Sequence, residues 1–426
     1  RAHIDTLADL ISDKADTLLL QPGPDGLLVL HAISPALPIA LRFDPETQLG
    51  ELVAQLRKLK VSRIHVHQWM GMIEAATELL QTMNVPYDVT LHDYFSLSPQ
   101  PFLTGDFGRF VGEDLDARTY ELIRNGEKSS PPRDLVEWRK WSGQILGGAE
   151  RVISPSEDLA RRVQRYFPEL KTLQVEPHPE VRRPVKDGAV SRRQISGDDT
   201  LRIAVIGKIA IHKGLPTFVR AVQLCQEWKL PLEFVCLGDL AIPASDVQGL
   251  DVEMTGEYRD SEAVDRLRGL KPDVVWFPTL CPEAYSFTLS HAIDTGLPIA
   301  AGALGAFIER LQGRAASWLL RWDITAEEWV AFFMRLRSQM MANAERGDDV
   351  VAAAWKPPAG VLEAVQGLAP AADAGQYAAP AVVHDRVVEA GKQGAQSLRV
   401  AYSSAEPEQG YMRRTAFYPA GYLANW

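Results

Sequence analysis

Residues 201–228 read LRIAVIGKIAIHKGLPTFVRAVQLCQEW. The first six are almost all apolar, the pattern of a short strand buried on both faces. Gly207 and two lysines, Lys208 and Lys213, then break the run, and Pro216 stands where a helix would start. From Leu215 to Trp228 apolar residues return at helical spacing. A strand, a glycine turn and an amphipathic helix in that order make one unit of a parallel α/β sheet.

The same unit recurs on either side. Downstream, LEFVCLG (232–238) and DVVWF (273–277) read as strands, DSEAVDRLRGL (260–270) and TAEEWVAFFMRLRSQMM (325–341) as helices. CPEAYSFTLSHAIDTGLP (281–298) carries a short helix that stops at Gly296, before another strand, PIAA (298–301). Upstream, TLLLQP (17–22), GLLVLHAI (26–33), RIHVHQ (63–68) and YDVTLHDY (87–94) alternate with the helical runs LGELVAQLRKLK (49–60) and IEAATELLQTM (73–83), and ERVISPSEDLARRVQRYF (150–167) adds a strand, a turn and a helix. This alternation predicts a second parallel sheet, covered on both faces. Residues 98–135 are rich in Gly, Pro and charge, as functional loops often are.

The expected fold class is therefore α/β, with two Rossmann-like parallel-sheet domains facing a cleft. An N-terminal domain spans 1–185, a polar linker 186–200 and a C-terminal domain 201–360. Residues 361–426 form an Ala/Pro/Gly-rich tail with one strand-like piece, LRVAYSS (398–404), to which no place is assigned. The sequence opens inside an amphipathic run, RAHIDTLADLISDKAD (1–16), as if within a domain.

At 426 residues, 46% hydrophobic and 23% charged, the composition is that of a globular chain able to bury a sizeable core. Lys plus Arg total 45 against 55 for Asp plus Glu, a net charge of -10 that disfavours nucleic acid as a partner. Any phosphate site must be local. The three cysteines, Cys225, Cys236 and Cys281, lack metal-ligand spacing and read as reduced core thiols of a cytoplasmic protein. No apolar run is long enough for a membrane span, and no signal peptide is present.

Ligands of parallel sheets bind beyond the carboxyl ends of the strands, so the chemistry belongs in the loops after 206, 237 and 277. In GKIAIHKG (207–214) a glycine permits close approach, two lysines supply charge, and the following helix adds its N-terminal dipole. That makes an anion site, although two solvated lysines beside a turn would look the same. It is neither a Walker A loop nor a GxGxxG fingerprint. Gly238 in CLGD and Gly256 in MTGEY would approach a ligand from neighbouring loops. His92 and Asp93 end a strand, where a substrate-facing histidine and a structural one are both plausible. His65 and His67 share one face of their strand, but no third ligand accompanies them at suitable spacing, so no metal site is expected.

Together GKIAIHKG, CLGD, MTGEY and DVVWFPTLCPEAYSFTLSHAIDTGLPIAAGALGAFIERL (273–311) resemble the second domain of the GT-B glycosyltransferases, in particular the large retaining family four. YDVTLHDYFSLSP (87–99) resembles the histidine-bearing loop of members that assemble bacterial surface polysaccharides such as O-antigens. The resemblance spans roughly residues 1–340. It implies that Gly207, Lys208, Lys213, Gly238 and Gly256 line a nucleotide-sugar site, with the two lysines on the diphosphate. Glu283 would meet hydroxyls of the transferred sugar, and Ser286 and Phe287 would open the helix facing the diphosphate. His92, Glu283 and Lys213 are the implied catalytic residues. His291 stands where the family has a second glutamate, which grips the ribose. A neutral imidazole offers one donor and one acceptor where a carboxylate accepts from both hydroxyls. The family's first strand and Gly-rich loop, which precede the helix that RAHIDTLADL resembles, are not in the sequence.

The implied activity is metal-independent hexosyl transfer, with retention, from a UDP-, GDP- or dTDP-sugar to a growing surface polysaccharide or lipid-linked glycan. No cofactor is expected. A lipid-linked acceptor would bring a cytoplasmic enzyme to the membrane surface. Two other readings stay open: a module that binds nucleotide sugar or glycan, or acts as a scaffold within a larger synthase, after losing catalysis; and a nucleotide-sugar epimerase of the same architecture.

Overall fold

The computed structural model describes residues 2–346 except 24, 34–39, 106–107, 113–134, 180–194, 196, 198, 243–246 and 248. The expected tail from 361, with LRVAYSS, lies outside the described residues, as do most of the linker at 186–200 and most of the 98–135 stretch. The described chain divides into two units. One is drawn from the stretches up to Leu103 and from Val111 to Arg182, the other from Thr104–Phe110 and the stretch beginning at Arg183.

The first unit opens with α1 (Ala2–Ile11), then β1 (Leu18–Pro22), β2 (Leu28–Ala32) and β3 (Ala40–Phe43). These strands depart from the expected parallel pattern. They pair antiparallel as a separate three-stranded sheet, Leu20 opposite Leu30 and Leu28 opposite Phe43. The reason is the short connection between β1 and β2, closed by the Gly23 N–H donating to the Leu27 carbonyl; so short a loop can only reverse the chain. Helices α2 (Leu49–Lys58) and α3 (Ile73–Met83) turn apolar stripes, Leu49, Leu52, Val53 and Leu56 on one and Ala75, Leu79 and Met83 on the other, onto Leu28, Leu30 and Phe43.

The remaining strands of this unit are β4 (Ile64–Val66), β5 (Tyr87–Thr90), β6 (Arg151–Ser154) and β7 (Leu173–Val175). They form a four-stranded sheet in that order, every pair parallel, with α4 (Leu135–Gly147) and α5 (Glu157–Tyr166) as further helices. Ser156 caps α5 by accepting from the Leu159 N–H at 3.3 Å, with Glu157 and Asp158 complementing the helix dipole. Asp88 on β5 is 2% exposed and bridges β4 to β6, accepting two bonds from Arg63 (2.8 and 2.9 Å) and two from Arg151 (3.0 and 3.1 Å). Burial raises its pKa, but the two guanidinium groups win and hold it down at about 2.

In the second unit β8 (Leu201–Ile206) is followed by α6 (Leu215–Trp228), β9 (Leu232–Leu237), β10 (Val252–Met254), α7 (Ala263–Gly269) and β11 (Val274–Phe277). Then come α8 (Phe287–Thr295), β12 (Ile299–Gly302), α9 (Ala306–Leu311), β13 (Ser317–Leu320) and α10 (Ala326–Arg346). All six strands are parallel, in the order β10-β9-β8-β11-β12-β13. Alternate residues go to opposite faces. Ile203, Val205, Phe234, Cys236 and Trp276 pack with Phe218 of α6 and Trp329 and Phe333 of α10. Ala204, Ile206, Val235, Val275 and Phe277 pack with Leu267, Leu289 and Phe307 of α7, α8 and α9. Covering both faces explains why these strands read as unbroken apolar runs.

Numbered within the unit, the order is 3-2-1-4-5-6, which reverses direction between β8 and β11. Ligands of such sheets bind at that reversal, beyond the carboxyl ends of the two flanking strands. The two-domain α/β expectation, each half on a parallel sheet, therefore holds, with a small antiparallel sheet added to the first.

Candidate functional site

The loops after β8 and β11 are joined by backbone contacts. After β8, residues Ile211–Lys213 make a 3₁₀ turn that ends on Gly214. The Leu280 N–H donates to the His212 carbonyl at 3.0 Å, which ties the lysine turn to the loop leading to Glu283. Gly214 has φ +86°, and a Cβ there would come within 2.0 Å of the Pro278 carbonyl oxygen; only glycine lets the loops approach so closely. The loop after β9 joins the same group, since the Ile209 N–H donates to the Asp239 carbonyl and the Gly256 N–H to that of Gly238.

Within this frame Lys213 is half-buried and Lys208 exposed. Lys213 and Glu283, which is half-buried, both act on the fully covered thiol of Cys281. Burial is the main reason that this thiol titrates well above its usual range; Glu283 adds to the rise and Lys213 opposes it. The ammonium and the carboxylate thus act, with opposite sign, on the same buried group. The Glu283 backbone is held by a parallel bridge to Gly305, with the Ala306 N–H donating to the Glu283 carbonyl at 2.9 Å. A Cβ at Gly305, φ +61°, would lie 2.6 Å from both the nitrogen and the oxygen of Glu283.

Helix α8 starts beside this group, the Thr288 side chain packing over Gly207. Its cap, Ser286, sits at φ +71° and ψ +92°, a conformation that costs a serine about 1–3 kcal/mol and persists only where neighbours impose it. Arg310 imposes it. Its guanidinium donates to the carbonyls of Tyr285 (2.8 Å) and Ser286 (2.9 Å) and to Ser290 Oγ (2.7 Å), and stacks 4.1 Å from the Tyr285 ring centre. Phe287 is half-buried at the first helical position.

His291, one turn further, lies 3.6 Å from an Asp260 carboxylate oxygen. This contact holds Asp260 below the usual carboxylate range. Sequence reasoning missed Arg310 and Asp260, whose parts are defined by folding alone. It also missed that Gly108 and Phe110, from the loop-rich stretch, pack on the lysine turn and the loop after β11: the Phe110 N–H donates to the Leu280 carbonyl at 2.7 Å, and Gly108 lies against Ile211 and His212.

His92 belongs to the first unit and sits among other histidines. Five of the nine in the chain gather at the carboxyl ends of β4 and β5: His3, His65, His67, His92 and His178. His67 Nδ1 is 3.0 Å from His92 Nε2, and His3 Nδ1 is 3.4 Å from the same atom. His65 Nε2 turns aside to Thr90 Oγ1 at 2.7 Å, and its ring stacks on His67. Burial, and after it the neighbouring imidazoles, keeps His67 and His92 well below the usual histidine pKa, and burial brings His3 down to about 4. Asp93 accepts from Gln68 (2.7 Å) and from the Phe95 N–H (2.8 Å); burial pushes its pKa up to about 7. The strand reading placed His65 and His67 on one face but supplied no further nitrogen ligand; folding brings two.

The three cysteines are unpaired and buried. Among the described residues no helix is long and apolar enough to cross a membrane.

Comparison with known proteins finds the family model of Glycosyltransferase Family 4 over residues 10–175, which lie in the first half of the chain. No curated protein sequence matches. Among solved structures, Anabaena HepE in complex with UDP-glucose is 14% identical and aligns over 71% of this chain and 78% of its own, with a TM-score of 0.46. S. aureus TarM, crystallised as a mutant with UDP, is 9% identical over 76% of this chain and 60% of its own, TM-score 0.47. Sucrose-phosphate synthase from Thermosynechococcus elongatus is 15% identical over 74% and 75%, TM-score 0.44. At these scores and identities none of the three bears on function.

Proposed function

We propose that the protein is a glycosyltransferase that moves a hexosyl group, with retention, from a nucleotide-sugar donor to a growing surface polysaccharide or lipid-linked glycan. The observation that carries this reading is the bonding of the lysine turn to the Glu283 loop at the point where the strand order reverses, with the start of α8 beside Gly207. The match of residues 10–175 to Glycosyltransferase Family 4 supports it from the other half of the chain.

The chemistry asks for this arrangement. Breaking the bond between the sugar's anomeric carbon and the phosphate oxygen leaves negative charge on the diphosphate and positive character on the sugar. Lys208, Lys213 and the first turn of α8 face the first need. At about 4 Å and an effective dielectric of 20, one cation–anion pair is of order 4 kcal/mol before desolvation. Glu283 orients the sugar through its hydroxyls. A new bond forms from the acceptor oxygen to the same face of the anomeric carbon, and the acceptor's proton passes to the departing phosphate. No metal is needed at the diphosphate when lysines neutralise it. His92 would orient groups near the reacting carbon.

At the ribose, His291 with Asp260 takes the place of a glutamate. The imidazole lies 3.6 Å from the carboxylate, and the carboxylate, 69% exposed on its side chain, would accept from a ribose hydroxyl. That pairing also favours a second reading, in which donor binding has survived and transfer has weakened, leaving a binding or scaffold module of a larger synthase. On the first reading the protein works in the cytoplasm and meets a lipid-linked acceptor at the membrane surface.

Melting curves with a panel of UDP-, GDP- and dTDP-sugars test both. One donor should raise the melting temperature, and adding a lipid-linked glycan should release free nucleotide. A donor that stabilises without any release supports the binding module. If no donor shifts the melt, the transferase reading fails.

A further inference from the structure

We propose that His3, His67 and His92 form a binding site for one divalent transition metal of the zinc type in the first unit, distinct in residues from the diphosphate site. His67 and His92 come from the carboxyl ends of adjacent parallel strands, β4 and β5, and His3 from the first turn of α1. One ring nitrogen from each lies within 4.8 Å of the other two. Nitrogens bound tetrahedrally at about 2.0–2.1 Å from a zinc ion stand about 3.3–3.4 Å apart. The observed 3.0 and 3.4 Å separations from His92 Nε2 bracket that edge length.

Hydrogen bonding alone leaves the arrangement under-satisfied. A neutral imidazole carries one N–H and one lone pair. Two Nδ1 atoms converge on the single Nε2 of His92, at 3.0 and 3.4 Å, so its one proton or one lone pair has to be shared between them. A shared bond of that kind is weaker than two well-directed ones. A cation in the middle satisfies all three nitrogens at once.

The donor set selects the ion. Three imidazoles without a carboxylate suit Zn²⁺, Co²⁺, Ni²⁺ or Cu²⁺ and are poor ligands for Mg²⁺ or Ca²⁺. Neighbours fix the rings, His65 stacking on His67 at 4.3 Å and His178 lying 4.2 Å from His3 and 4.8 Å from His92. A small pocket lined in part by His67, Gln68, Thr90, His92, Asp93 and Ser96 has space for about one water on the His67 and His92 side of the cluster. The transferase reading is not a premise here, but the two meet at one atom: a metal on His92 Nε2 removes that nitrogen from any contact with a sugar.

The test uses untagged full-length protein, stripped with a chelator and titrated with Co²⁺ by visible absorption and with Zn²⁺ by calorimetry. One equivalent of each should bind, Co²⁺ giving the intense band of a four- or five-coordinate nitrogen site. His67→Gln and His3→Gln should each weaken binding more than about 100-fold, because even outer partners of a metal are worth 10- to 100-fold. His212→Gln, in the other unit, should leave it unchanged. Melting of each metal-free variant checks its fold, and His3→Gln decides if His67→Gln does not fold. Absence of the Co²⁺ band, binding only at millimolar metal, or tight binding that survives in a folded His3→Gln protein overturns the site and leaves hydrogen-bonded imidazoles. Failure here is separable from failure of the transferase reading, because a nucleotide sugar should still shift the melt of the metal-free protein.

Discussion

The two parallel sheets present opposite chemistry at equivalent places. Where β8 and β11 end, the second unit gathers Lys208, Lys213, a strained helix start and tight glycine turns, a set suited to a polyanion. Where β4 and β5 end, the first unit gathers uncharged imidazole nitrogens that converge on one another, a set suited to a cation. The fold supplies the location in both cases, since loops at the carboxyl ends of parallel strands are free to vary while the strands are not. What distinguishes the ends is the charge of the side chains delivered there.

The sharpest way to break this contrast is Lys213→Ala. Removing one preorganised group from a developing anion typically lowers turnover about 100- to 1000-fold, and the stabilisation by a nucleotide sugar should vanish with it. Transfer that stays within a few-fold of wild type would mean that the cationic end is not a diphosphate site. The histidine end has its own lever in Asp88, which ties β4 to β6 from β5. Asp88→Asn removes the carboxylate shared by Arg63 and Arg151 and leaves Arg63 paired with Glu150 alone. Breaking a fully buried pair costs 3–5 kcal/mol, and because these arginines are 45% and 46% exposed on their side chains the expected loss is nearer about 2 kcal/mol. The depressed pKa sets the sign: the stabilisation is complete above about pH 4 and disappears as pH falls through about 2. Urea midpoints of the variant and the wild type should therefore differ at pH 7 and converge near pH 2.

Both strand ends differ, too, in how much of them the sequence disclosed. LRIAVIG and DVVWF were legible because a strand covered on both faces leaves an apolar run, and the glycine and lysine turn after the first of them followed directly along the chain. SWLL (317–320) passed unnoticed because it is a four-residue strand at the sheet's edge with every residue only half-buried. Helix α4 went unread although Trp138, Trp141 and Ile145 lie at helical spacing, since Pro and charge just upstream suggested loop. The imidazole cluster could not be foreseen from spacing. His3 and His92 are 89 residues apart, and only folding brings α1 to the end of β5. Arg310 was hidden for the same reason, being 24 and 25 residues from the carbonyls that it holds.

Acid sharpens the comparison within the cationic end itself. His212 neighbours Lys213, and burial, with that lysine's charge adding, lowers its pKa to about 3. A histidine depressed in the folded state stabilises fully above the unfolded value of about 6.5, and the contribution drains away as pH falls from there to about 3. Because the residue is half-buried rather than sealed, we expect about 1–2 kcal/mol at pH 4, not the full shift. His212→Gln, compared with wild type by urea unfolding at pH 7.5 and pH 4.5, should lose less stability on acidification. An unchanged acid slope would place the pH sensitivity with the histidines of the other unit.

The smallest expected effect decides between the two readings of the second unit. In His291→Glu a carboxylate would stand beside Asp260, where the imidazole now lies 3.6 Å away. Two acids at that separation repel in the free protein, so the variant should melt slightly lower and its carboxyls should titrate higher than Asp260 does now. A bound ribose reverses the balance, because two hydroxyl donors can satisfy the new acceptors at about 0.5–1.5 kcal/mol each. Donor affinity should therefore rise by up to about tenfold even as unliganded stability falls. If turnover rises in step with affinity, the native pair only weakens donor binding and the protein is an enzyme as it stands. If affinity rises while turnover remains absent, the deficit lies beyond the ribose, and residue 291 is a mark of a binding module rather than its cause.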